Sequence, residues 1–67
     1  MVMARTVPDG REERRDLPEG SLASDLVRSL GLPTAACLVL RGGSPVPIDE
    51  PLVAGDELEV VYVASGG

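Results

Sequence analysis

One cysteine, Cys37, and no histidine leave this chain without a disulfide or a zinc site to hold a small fold together. At 67 residues that constraint is severe. A domain of this size buries only about 60% of the surface its unfolded chain exposes, and small scaffolds often add disulfides or a metal. Here the fold must come from a single well-patterned core, with room for one domain. A lone thiol also suits a reducing compartment better than secretion, so a cytoplasmic setting is expected. The opening Met1-Val2-Met3-Ala4-Arg5 lacks the basic start and long apolar run of a signal peptide. No apolar stretch approaches the length that spans a membrane.

The clearest element is a helix. Pro18-Glu19-Gly20 breaks the chain, and Ser21 is the expected N-cap. On a helix, Leu22, Ala23, Leu26, Val27 and Leu30 fall within an arc of about 140°, with Ser24, Asp25, Arg28 and Ser29 opposite. Asp25 early and Arg28 late suit the helix dipole. Gly31 fits the left-handed residue after the helix, Leu32 the apolar residue that follows, and Pro33 the stop.

Strands flank this helix. Met1 to Val7 alternates, and Pro8-Asp9-Gly10 supplies a turn. Arg11 to Leu17 returns as a second strand or as a charged loop. As a strand, its charges would guard an exposed sheet edge. Ala36 to Arg41 reads as a strand, Gly42-Gly43 as a two-residue hairpin turn, and Ser44 to Ile48 as a short edge strand or extended loop. After the turn at Ala54-Gly55-Asp56, Glu57 to Val63 alternates and then becomes apolar, as a central strand would. The order is strand, strand, helix, strand, short strand, strand: an α+β domain over residues 1–63, with a mixed four- to five-stranded sheet and one helix on one face. Alternation is expected to place Leu38, Leu40, Leu58 and Val60 in the core. Val39, Arg41, Val61 and Val63 would then face away from the helix as a candidate docking patch, or as ordinary surface valines.

The net charge of −5 argues against nucleic acid or an anionic membrane as a partner and favours a basic docking surface. With no Phe or Trp and one Tyr, the chain has no base-stacking platform. Catalysis by the chain itself is not expected. It has no histidine or lysine to act as base, and Cys37 has no imidazole partner. Cys37 sits among Ala36, Leu38 and Val39, as a buried inert thiol would. Asp49, Glu50, Asp56, Glu57 and Glu59 lack calcium-loop spacing and suit a solvated acidic surface, so no metal is expected.

The tail carries the chemistry. Gly66-Gly67 cannot be an internal turn, and terminal glycine adds nothing to burial while costing entropy when ordered. It does offer a thin backbone ending in an unhindered carboxylate, able to thread a narrow tunnel toward the α-phosphate of ATP. A frayed end or a truncation scar is the bland alternative. All six basic residues are arginine. Composition bias explains that, and so would a modifier that avoids linking to its own side chains.

The order of elements, the Ser21–Leu32 segment, Arg41-Gly42-Gly43, Ala54-Gly55-Asp56-Glu57 and the ending Val63-Ala64-Ser65-Gly66-Gly67 resemble the ThiS/MoaD sulfur-carrier family. Within it, the chain is most similar to the small archaeal ubiquitin-like modifiers and the tRNA-thiolation carriers. The longer, more aromatic MoaD branch fits less well. The resemblance implies a ubiquitin-like β-grasp fold. It also implies adenylation at Gly67 by a ubiquitin-activating-type enzyme that uses ATP, with no cofactor bound to the carrier. Gly66 would give access and Ala64-Ser65 complete the docking tail. The adenylate then becomes a thiocarboxylate, used with a sulfurtransferase or sulfur-accepting biosynthetic enzyme in tRNA thiolation or thiazole formation, or it passes to a target-protein lysine. A monomer is expected. A non-covalent β-grasp interaction domain with an incidental Gly-Gly end is the reading from another class.

Overall fold

The computed structural model describes residues 1–7 and 9–63. Its strands are β1 (Val2–Val7), β2 (Glu12–Arg15), β3 (Cys37–Arg41), β4 (Ser44–Val46) and β5 (Glu57–Tyr62), with helix α1 (Ala23–Ser29) and a 3-10 turn at Thr34–Ala36. They form one sheet in the order β2-β1-β5-β3-β4. β1 and β5 are parallel neighbours at its centre, and the other pairings are antiparallel. The two edges are the charged β2 and the proline-bearing β4, both poor templates for a further strand. β5 is central, as its apolar run requires.

The core lies between one sheet face and α1. Val2, Ala4, Val39, Leu58 and Val60 meet Ala23, Leu26 and Val27, and Leu52 closes one side from the loop before β5. Leu26, Val27 and Val60 are fully buried. The helix ends as its sequence requires. Gly31 takes φ +75°, its N–H donates to the Arg28 carbonyl, and the Leu32 N–H donates to the Val27 carbonyl at 3.2 Å. Those two bonds form a Schellman cap, and Gly is the residue that takes its left-handed position at no steric cost.

The start of the helix differs from the sequence expectation. Leu22, not Ser21, is the N-cap, and the Leu22 N–H donates to Asp25 Oδ2 at 2.8 Å. Ser21 Oγ instead donates to the Pro18 carbonyl at 2.6 Å, closing the preceding turn. The N–H groups of Ala23 and Ser24 donate to the carbonyls of Glu50 and Ile48. A tertiary loop thus satisfies donors that a cap would otherwise serve. That loop covers Ser24, which is buried rather than solvated.

The larger correction concerns β3. Val39 is 1% exposed and Leu38 46% exposed, so the strand is turned by one residue from the expected alternation. Cys-Leu-Val-Leu is apolar at four successive positions, so its own pattern could not choose a face. Its neighbour chooses: Val39 stands opposite Val60, whose burial follows from the β5 alternation, and Leu38 stands opposite Val61. Leu38 and Leu40 therefore lie on the outer face, and Val39 leaves the docking patch.

Candidate functional site

The last described residue of the chain, Val63, continues β5 at one end of the sheet, and its N–H donates to the Ala36 carbonyl at 2.8 Å. Ala64, Ser65, Gly66 and Gly67, the residues expected to be activated or held by an enzyme, lie outside the described residues. The described chain therefore fixes where that segment starts and which surface stands beside it.

That surface is the outer sheet face. Val7, Val61 and Leu38 stand in one cross-strand row, because Val7 is opposite Val61 and Val61 opposite Leu38. Arg5, Glu59, Leu40 and Pro45 form the next row. Val63 is 56% exposed just beyond the first row. The result is an apolar strip beside the start of the tail, bordered by Glu59 and by Arg5, which pairs with Glu12 at 3.3 Å. Cross-strand neighbours on one face lie close enough to act as a single surface. Val61 and Val63 keep their expected place. Leu38 and Leu40 join them, together with Val7 and Pro45, which alternation within β3 alone could not reveal. The signal that finds them is the register against β5.

Arg41 is the second correction. It shares the helix side of β3 with Val39, opposite Leu58, at the far end of the sheet from Val63. Its guanidinium donates to Glu50 Oε2 at 2.7 Å, Asp56 Oδ2 at 2.9 Å and the Pro51 carbonyl at 3.0 Å. Asp56 Oδ2 also accepts the Val53 N–H at 2.9 Å. Arg41 therefore ties the loop after β4 to the turn before β5. The hydrogen bonds to Glu50 and then Asp56 hold its guanidinium still more firmly in the charged form. It belongs to the frame of the domain and not to the outer strip. Two carboxylates read as solvated from the sequence are in fact bound here.

Cys37 is half-buried against the core, and burial pushes its thiol above the ordinary 9.0. A thiol kept protonated is a poor nucleophile. Among the described residues, no three His, Cys, Asp or Glu side chains are placed to hold a metal ion. No helix among them is long and apolar enough to cross a membrane.

The sequence pattern of small archaeal modifier protein 2 (SAMP2) matches residues 1–64. The chain belongs to that family. It is thus a small archaeal ubiquitin-like modifier, within the ThiS/MoaD-like group that the sequence resembles. The crystal structure of SAMP1 from Haloferax volcanii is similar, with a TM-score of 0.72 over 98% of each chain at 23% identity. At that identity the likeness speaks for the fold alone, and it shows the five-stranded mixed sheet with one helix to be the ubiquitin-like β-grasp. No curated protein matches the sequence. In this member of the SAMP2 family, the match ends one residue past the last described residue, Val63.

Proposed function

We propose that this SAMP2-family chain is a sulfur carrier that acts through the carboxylate of Gly67. An activating enzyme would bind the outer strip and receive residues 64–67. The Gly67 carboxylate attacks the α-phosphorus of ATP, pyrophosphate leaves, and the carboxyl carbon becomes an electrophile. Sulfide then displaces AMP to give the thiocarboxylate. A persulfide donor reaches the same product when a further thiol cleaves the resulting acyl disulfide. The thiocarboxylate sulfur is delivered to a biosynthetic acceptor such as a tRNA base or a thiazole precursor. The chain supplies no base or nucleophile to these steps beyond its own terminus. Its work is to be docked and to present a thin backbone, which fits its lack of histidine and lysine and its protonated Cys37.

The observation that carries this reading is the SAMP2 family match over residues 1–64, followed at once in the sequence by Ser65-Gly66-Gly67. The family's description as modifiers favours a second use of the same activated carboxyl. In that use, a target lysine amine attacks, AMP leaves, and an isopeptide bond forms. Intact mass of the protein recovered from its own cells distinguishes the two. A terminal thiocarboxylate supports the carrier. Free carboxylate together with conjugated target peptides, and no thiocarboxylate, overturns it in favour of the modifier.

A further inference from the structure

We propose that Tyr62 is a specificity-determining contact for the activating enzyme, which would grip the root of the tail from the helix side of the sheet as well as from the outer strip. The inference rests on the reading of Gly67 as the activated end. Tyr62 is the one aromatic residue of the sequence and the last residue of β5. Alternation along β5 puts it on the same side as Leu58 and Val60, opposite Cys37. Yet Tyr62 is 39% exposed where Val60 is fully buried. Helix α1 ends at Ser29, and the residues that follow, Leu30 and Leu32, border Tyr62 across a cavity of about 150 Å³ that Thr6 also lines. The core stops at Val60, and the ring stands outside it.

The backbone around the ring is fixed. Tyr62 pairs with Cys37, the Val63 N–H donates to the Ala36 carbonyl, and the Leu32 N–H donates to the Val27 carbonyl. A tyrosine on such a frame has two side-chain torsions left to order, so it offers a large contact area at small entropic cost. Binding energy concentrates on side chains of this kind when a partner covers them.

The course of the chain, and not charge, selects the occupant. Asp9, Arg11 and Glu13 also line the cavity, and their mixed signs favour neither a cation nor an anion. From Tyr62 to Gly67 is five residues, about 18 Å at full extension. An adenylating enzyme has to enclose the reacting carboxyl away from water, and a folded domain is wider than that reach. Its surface therefore closes on the root of the tail where the tail enters. At that root Val63 stands out on one face of the strand and Tyr62 on the other. No such tether brings a small molecule or a second copy of this chain to the same ring.

The test uses the full chain with its single tyrosine replaced by 3-fluorotyrosine, which places one fluorine resonance at residue 62. The partner is the enzyme isolated from the same cells by its exchange of pyrophosphate into ATP in response to this protein. Adding it without ATP is expected to move that resonance and to remove its solvent isotope shift, as covering the ring requires. Tyr62→Ser should raise the apparent KM for exchange about tenfold at unchanged kcat, and Tyr62→Phe should stay within about twofold of the parent. Val53→Ser, exposed at the opposite end of the sheet, should match the parent. Should Tyr62→Ser fail to fold, the fluorine titration of the parent decides alone. A resonance that keeps its solvent shift in the saturated complex overturns the proposal. So does a Tyr62→Ser KM equal to the parent's, or a rise that Val53→Ser reproduces. Exchange that survives removal of Gly67 overturns instead the reading on which the inference rests.

Discussion

At the scale of single residues, the face of β3 is decided by one partner. Val39 is buried because it stands opposite Val60, and Leu38 is exposed because it stands opposite Val61. An aspartate at residue 39 would bury an unpaired charge, whereas at residue 38 it would meet water. Val39→Asp is therefore expected to cost about 4 kcal/mol or more, enough to unfold much of a small domain. Leu38→Asp should stay folded. Urea titration of the pair decides the register, and equal losses would contradict it. Cys37 makes a pH-dependent prediction. Burial raises its pKa above 9.0, so the folded state holds this proton more firmly than the unfolded chain. That contribution is fully present below the unfolded pKa and is lost as pH rises through the folded one. As pH rises through the unfolded thiol's ordinary pKa and above it, the parent should lose more stability than Cys37→Val, which has no proton there to release. Parallel pH profiles for the two proteins would show that burial does not act on this thiol.

At the scale of elements, legibility followed local determination. The helix was readable because Leu26 and Val27 fall on one arc and Gly31-Leu32-Pro33 carries its own stop chemistry. The sheet's edges were readable because charge in β2 and proline in β4 exclude a central place. Ser21 and Arg41 were not readable in the same way. Ser21 is as good a partner for the Pro18 turn as for the helix, and loop carbonyls from residues 48 and 50 serve the helix N–H groups instead. Arg41 meets Glu50 and Asp56 only after the chain has folded back through two turns. Tertiary contacts made those choices, and no window of sequence contains them. In the candidate site the tail was legible as a Gly-Gly end, while its apolar neighbour Leu38 had to come from strand pairing. The helix face gives the element's own test. Leu26 is 0% exposed at the centre of the core, so Leu26→Ala should lower unfolding free energy by about 2–5 kcal/mol in urea. A mutant as stable as the parent would mean that α1 does not rest on the sheet through this face.

At the scale of the whole molecule, the proposed activation would draw on the outer sheet face for docking and on residues 64–67 for the reacting end. Among the described residues the core draws on β5 as far as Val60, and the Val63 N–H donates to the Ala36 carbonyl. Removing Gly67 should therefore leave the thermal midpoint unchanged and abolish pyrophosphate exchange by the activating enzyme at every concentration, because the attacking carboxylate has been displaced by one residue. Val61→Asp should behave differently. It puts a charge into the row between Val7 and Leu38, beside the existing Glu59, and so opposes desolvation of the strip by a partner. The tail remains intact, so exchange should recover when this variant is supplied in excess: the apparent KM rises while kcat holds. Exchange measured against concentration for both variants, with melting curves alongside, separates the two contributions. Exchange by the shortened chain would sink the assignment of Gly67. A lowered kcat in Val61→Asp at unchanged KM would place residue 61 in tail presentation and move the docking surface elsewhere.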